Sequence, residues 1–300
     1  MDFLQNLGIE TSSTSIDKLK KECLEVFETP SLIQSPMSGQ LIEDGFHTIL
    51  NENGNVHGKV SNKGSVLQNA ELIDIAYQID LDHDLGLNFK KANINYFKDE
   101  SVSTLNIPLD VVSFKTKAGF DDVTEVSLFI KNGFGGNSCT EIGVYSHRFV
   151  CANGMEIRHG LNFFKSKHTE LMNSKAKTFL HSKLPTMINS AVGFKQNALR
   201  FDAKAITKED ILNFEKSFFN YKDVQGISTK KKNQIDAFKI SLNEELTRVG
   251  YTVWGLLQSA TNYTNNTHYQ ANKENKEFVV VGSGAKLNEH AEKYCLDLVK

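Results

Sequence analysis

Cys151 lies within the run Arg148-Phe149-Val150-Cys151-Ala152-Asn153-Gly154-Met155, with His147, His159 and His168 close by in sequence. A nucleophilic thiolate needs a base to activate it and amides to hold an oxyanion. Asn153-Gly154 is a turn dipeptide that tolerates positive φ and offers such amides. No residue pattern sets a base beside the sulfur, and a cysteine on a buried strand ordinarily serves packing. No catalytic residue is assigned. Metal chemistry fares no better. The nine histidines include no H-E-x-x-H and no cluster with ligand spacing, and Cys23, Cys139, Cys151 and Cys295 contain no C-x-x-C pair. His168-Thr169 reads more simply as a helix start whose side chains cap exposed amides. Val281-Gly282-Ser283-Gly284-Ala285 lacks the third glycine and the Lys-Ser ending of a phosphate loop, so no cofactor is assigned.

Charge offers more. The net charge is −2, yet residues 156–204 hold nine Lys and Arg against three acids, a local +6 that leaves −8 for the remainder. The acids gather at Asp80, Asp82 and Asp84 and between Asp99 and Glu125. A basic segment on an acidic body can form a phosphate-binding face or simply a solvated helix face. Candidate phosphate contacts are Arg158, Lys165, Lys167, Lys175 and Lys177. Phe134, at the apex of the glycine-rich loop Asn132–Asn137, and Phe163 and Phe164, beside Lys165, are candidate stacking platforms for a base. The bland alternatives are a mobile hairpin loop and a core Phe pair. Lysines 175 and 177 lie about 200° apart on a helix, so at most one of them faces a given strand of nucleic acid.

The Arg148–Met155 run followed by His168-Thr169 resembles the phage- and plasmid-like family called domain of unknown function 932. Its strand has the form R-x-V-C-x-N-(G/T)-(L/M) ahead of a His-Thr helix start. Three further segments are similar to that family: the opening hairpin Phe46–Leu50 with Gly58-Lys59-Val60, the helix start Val66-Leu67-Gln68-Asn69-Ala70-Glu71, and Gly255–Tyr263 with Gly282–Leu287 and Ala291. The resemblance spans roughly residues 40 to 298 and implies a mobile-element origin. It implies no chemistry.

These residues need elements to position them. Three hundred residues with 40% hydrophobic and 23% charged content and four prolines describe a globular chain with a core. No apolar run reaches a membrane span, and Met1-Asp2-Phe3-Leu4 has no basic region leading an apolar stretch, so a cytoplasmic chain is expected. Residues 1–40 read as an N-terminal appendage, with a short helix over Ile16–Phe27 ended at Pro30. Residues 41–205 read as a β-rich core with the basic helix, and 206–300 as a helical region. Strands are predicted at Phe46–Leu50, Val56–Val60, Leu87–Phe97, Thr104–Lys115, Val123–Lys131 and Ser138–Val150, joined by loops too short for parallel crossovers. A helix over Asn69–Ile79 interrupts them, and Pro185 should kink or restart the helix that follows Thr169.

The expected fold is therefore α+β: a curved antiparallel sheet packed by helices, with a mostly helical C-terminal part. Its element order is similar to that of the phage single-strand annealing proteins, the Rad-fifty-two-like and Red-beta-like groups, an analogy of order alone. The leading expectation is a non-catalytic protein that binds or anneals single-stranded DNA in phage or plasmid recombination, replication or establishment. It would act as a homo-oligomer, since small sites gain affinity by repetition along a strand. The alternative is a protein-interaction module that counters or regulates host defence, with its acidic body facing a host protein.

Overall fold

The computed structural model describes residues 12–135, 139–148, 155–158, 164–167, 172–223, 226–267 and 283–300. They form helices α1 (Ser12–Lys21), α2 (Asn69–His83), α3 (Met172–Ala203), α4 (Lys208–Phe218), α5 (Thr229–Val249), α6 (Val253–Asn262) and α7 (Ser283–Leu298). The strands are β1 (Val26–Gln34), β2 (Leu41–Asn51), β3 (Val56–Ser61), β4 (Asn93–Phe97), β5 (Val102–Lys115), β6 (Asp121–Gly133), β7 (Cys139–Arg148), β8 (Met155–Arg158) and β9 (Phe164–Lys167). One sheet has the order β1-β2-β3; the other runs β4-β5-β6-β7-β8 as a meander, with β9 also on β7. The α+β architecture with antiparallel sheets and a helical C-terminal region is thus present. The chain divides into two compact, interleaved units: Met1–Leu109, Ser127–Gly143 and Leu161–Ile188, then Asp110–Val126, Val144–Gly160 and Asn189–Lys300.

In the first unit, Leu72, Ala76 and Ile79 recur at helical spacing and form one face of α2. That face packs with Leu105 and Ile107 of β5, Leu128 and Ile130 of β6, Ile142 of β7, and Ala176, Leu180 and Leu184 of α3. Each such side chain contributes about 1.5–3 kcal/mol on burial. β6 is buried on both faces, Leu128 and Ile130 on one and Ser127 and Phe129 on the other.

Residues 26–34, expected in an appendage, are instead a strand that pairs with β2 from Val26↔Asn51 to Gln34↔Leu41. Pro30 does not end a helix here; it sits beside a bulge at Pro30/Leu32 on an edge strand, where a missing amide costs no ladder bond. The helix before it is correspondingly shorter and earlier, Ser12–Lys21. Pro185 lies within α3, which continues through it as one helix of 32 residues.

β3 approaches residue 135 so closely that a Cβ on Gly58 would lie 2.6 Å from the Cα of Gly135. A methyl group there meets backbone, which cannot rotate away. Gly58→Ala should therefore lower stability by about 1–3 kcal/mol, read as a fall in the urea midpoint at unchanged slope. A midpoint equal to that of the unmodified chain would contradict the close approach.

In the second unit, Trp254 of α6 is fully buried, donates Nε1–H to Asp122 Oδ2 at 2.9 Å, and meets Phe114 edge-on at 5.5 Å. Phe214, Phe218, Phe219, Phe238 and Tyr263 form an aromatic cluster among α4, α5 and the π-helical turn Tyr263–Thr267. Thr207 and Thr252 cap their helices by accepting from Asp210 N and Gly255 N. Among the described residues no helix is long and apolar enough to cross a membrane.

Candidate nucleic-acid interface

The buried stripe Ala176, Leu180, Leu184 fixes how the first half of α3 turns. Ser174, Lys175, Thr178, His181, Ser182, Lys183 and Thr186 are left in solvent, with Lys177 exposed on the flank. No Asp or Glu occurs from Leu171 to Phe201, whereas Lys175, Lys177, Lys183, Lys195 and Arg200 do. Lys175 and Lys183 lie about 80° apart around the helix and about 12 Å apart along it. By the same helix geometry Lys177 lies roughly 160° from Lys175. Lys167, Lys175, Lys177 and Lys183 make no ion pair with any described residue.

β9 divides the expected lysine set. Its register against β7 is Cys139↔Lys167, Thr140↔Ser166, Glu141↔Lys165 and Ile142↔Phe164. Phe164 packs into the α3-facing core, its ring 4.9 Å from that of Phe179. Strand alternation then turns Lys165 and Lys167 to the opposite face of the sheet from α3. The candidate contacts Lys165 and Lys167 thus lie on a different face from the α3 candidates Lys175 and Lys177.

Lys165 is also compensated. Its ammonium lies 2.9 Å from Glu141 Oε1, and Lys131 stands 3.6 Å from the same oxygen. The hydrogen bond to Glu141 raises the Lys165 pKa and keeps it charged. Much of that charge already faces a carboxylate, so Lys165 has less to offer a phosphate than the lysines of α3.

Two aromatic assignments are corrected. Phe134 does not stand at an exposed loop apex: it is fully buried with Val26, Ile49, Val60 and Val66, and its amide donates to Ser101 O at 2.9 Å. Apolar burial against the three-stranded sheet outweighs the solvent exposure that the glycine-rich context suggested. Phe164 is a half-buried residue packed against the core, its ring set against Phe179 rather than standing out as a platform. Arg158 pairs through its backbone with Tyr145 in β8, and Phe163 lies outside the described residues.

The acidic body is smaller than the sequence count. Asp80 accepts from Leu87 N at 2.9 Å and closes the end of α2, while Asp122 and Glu125 are buried. Among the described residues no three His, Cys, Asp or Glu side chains gather to hold a metal. Burial, aided by nearby Glu22, pushes the Cys23 thiol up to about 11. Burial and then Glu141, whose carboxylate accepts from the thiol at 3.3 Å, raise Cys139; burial raises Cys295 strongly. A thiol-reactive disulfide at pH 7.5 should therefore label these three slowly in the folded chain, because the thiolate is the reactive form. Rapid reaction at more than one site would contradict those environments. Cys151 and His168 fall outside the described residues.

The recurring sequence motifs turn out to be joints. Gln68 bonds both backbone groups of Val26, at 2.8 and 3.3 Å, and Glu71 accepts from Gln68 N at 3.2 Å. Asn69 Oδ1 accepts from Ser103 Oγ at 2.8 Å and from Asn132 Nδ2 at 3.1 Å in the buried interior. Near the other end, Asn262 donates to Glu244 and Glu245, and Tyr263 enters the aromatic cluster. No curated protein and no solved structure matches the chain. The family described as Domain of unknown function (DUF932) matches residues 56–281, from β3 to just before α7, which is three quarters of the sequence. By that match over most of its length, the chain belongs to the DUF932 family.

Proposed function

We propose that this chain binds single-stranded DNA without catalysis, along the solvent side of α3, as a homo-oligomer. Its setting would be recombination, replication or establishment of a phage or plasmid in a bacterial cytoplasm. The observation that carries the reading is the acid-free helix: from Leu171 to Phe201 every formal charge is positive, and Lys175, Lys177 and Lys183 are exposed and unpaired among the described residues. Cations in that state can neutralise phosphates and release their counterions, which is the main source of sequence-independent affinity. With Phe134 buried and Phe164 half-buried against Phe179, phosphate contact rather than stacking supplies the binding, so base preference should be weak.

The rival reading, an acidic surface for a host protein, is weakened by the burial of Asp122 and Glu125. Passage over immobilised single-stranded DNA in 50 mM salt separates the two. Retention followed by elution at higher salt supports the proposal. Flow-through, together with capture of a stoichiometric host protein insensitive to nuclease, rejects it.

A further inference from the structure

Eight of the fourteen large hydrophobic side chains exposed among the described residues fall between positions 27 and 56. Five of them decorate the far end of one hairpin, β1–β2. β3 pairs with β2 only from Phe46 to Leu50, so beyond Phe46 the β1–β2 ribbon is two-stranded, with a free backbone edge on either side. Ile33 and Ile42 are direct cross-strand partners, which puts both on one face. Leu32 pairs with Glu43 and Leu41 with Gln34, so Leu32 and Leu41 are diagonal neighbours on the other face. These four are 46–66% exposed, and Met37 in the turn is 97% exposed. A ribbon buried on one side shows apolar residues on one face only; this one shows them on both.

The rest of the three-stranded sheet continues the pattern. Val26, Ile49 and Val60 pack inward with Phe134. On the outer face, Phe27 pairs with Leu50 and Leu50 with Val56, forming a row across all three strands, of which Phe27 and Val56 are exposed. Together the eight side chains leave on the order of 800 Å² of apolar surface in water. Divided between two faces, that is roughly 400 Å² a face, the size of the contiguous apolar patches that on monomers are often functional.

Charge decides what covers it. From Glu22 to Gly58 there is no Lys or Arg, while Glu22, Glu25, Glu28, Glu43, Asp44 and Glu52 are acidic. The nearest cation, Lys59 of β3, is already paired with Asp44 at 3.0 Å, so a polyanion or an anionic bilayer finds little uncompensated positive charge here. The arm itself, Leu32 to Ile42, carries no charged residue at all. Two such arms can meet face to face with no like charges opposed, and a two-fold contact requires that self-complementarity.

We propose that the β1–β2 arm, residues 32–42, is the self-association device of this protein, packing against the same arm of a second copy. Ile33 and Ile42 of each copy form the centre, with Met37 in the turn closing its end. The proposal deepens the oligomer reading above, and mass measured without DNA separates its failure from failure of DNA binding.

The test uses the full chain and two paired variants, Ile33→Glu with Ile42→Glu, and Ile33→Lys with Ile42→Lys. Sedimentation at tens of micromolar should give the unmodified protein at least twice the monomer mass. Each variant alone should fall to monomer with an unchanged circular dichroism spectrum. Mixed one to one, the acidic and basic variants should return to dimer mass, since residues 33 and 42 face their counterparts in the partner. A monomeric unmodified protein overturns the proposal, whether or not it binds a foreign protein or lipid vesicles. So does a folded variant that keeps the full mass, or a mixture that stays monomeric, which would place the arm against another surface.

Discussion

Replacing Lys175, Lys177 and Lys183 of α3 with glutamine should weaken single-stranded DNA binding roughly 20-fold at 0.1 M salt and flatten its salt dependence. The size follows from geometry. Lys175 and Lys183 share one side of the helix, and Lys177 stands on the far flank, so about two phosphate contacts are lost rather than three. Each contact contributes about 0.7 to the slope of log affinity against log salt for a single strand, so the slope should fall by about 1.4. Lys165→Gln should change the slope less, because Glu141 already faces that ammonium at 2.9 Å. The fold should survive the triple replacement, since the three side chains are exposed and such changes stay within about 0.5 kcal/mol each. Anisotropy titrations of a labelled oligonucleotide at several salt concentrations read both quantities. Equal slopes in the folded triple variant would move binding off α3.

Trp254→Ala should be the most damaging single change in the second unit, costing about 3–5 kcal/mol. The side chain is fully buried, meets Phe114, and gives Asp122 a hydrogen bond in the interior. Its removal leaves a cavity and takes a donor from a buried carboxylate. Trp254→Phe separates the two effects: it fills most of the space and loses only the donor, for about 1–3 kcal/mol. A domain stable by only about 5–15 kcal/mol would be largely compromised by the alanine change. Urea denaturation followed by circular dichroism measures both variants, since Trp254 is the only tryptophan and its fluorescence disappears with it. A phenylalanine variant as damaged as the alanine variant would mean that the hydrogen bond, not the volume, holds this site.

Periodicity made much of this fold legible. Leu72, Ala76 and Ile79 announce α2, and the short loops between strand-like runs imply the antiparallel meander. What could not be read is which neighbour each residue meets. Phe134 lies in a glycine-rich stretch that suggests an exposed tip, yet its place is set by strands more than seventy positions earlier in the chain. The lysines of β9 and α3 are near in sequence, but the pleat of β9 sends Lys165 and Lys167 to the other side of the sheet. The compensation of Lys165 depends on Glu141, whose partnership exists only once β7 and β9 are in register.

The arm is a different case. Its uncharged, apolar stretch from Leu32 to Ile42 was visible, but Pro30 and Pro36 made it read as the breaker after a helix. The most informative charge signal was an absence: no acid across thirty-one residues, from Leu171 to Phe201, marks α3 better than any count of its lysines. Family membership added little about chemistry because the motif residues that can be placed, Gln68, Asn69, Glu71, Asn262 and Tyr263, hold backbone and core together. Such residues identify a fold, while binding surfaces vary on top of it.

Cross-linking tests the central claim most directly. A single-stranded oligonucleotide carrying photoreactive thymine analogues would be bound at low salt, irradiated, and its adducts located by peptide mass. The account predicts adducts concentrated in the peptides of α3, Met172–Ala203, and their loss when salt is raised. Adducts confined to β1–β3, or none from a chain that nonetheless retains the oligonucleotide, would contradict it.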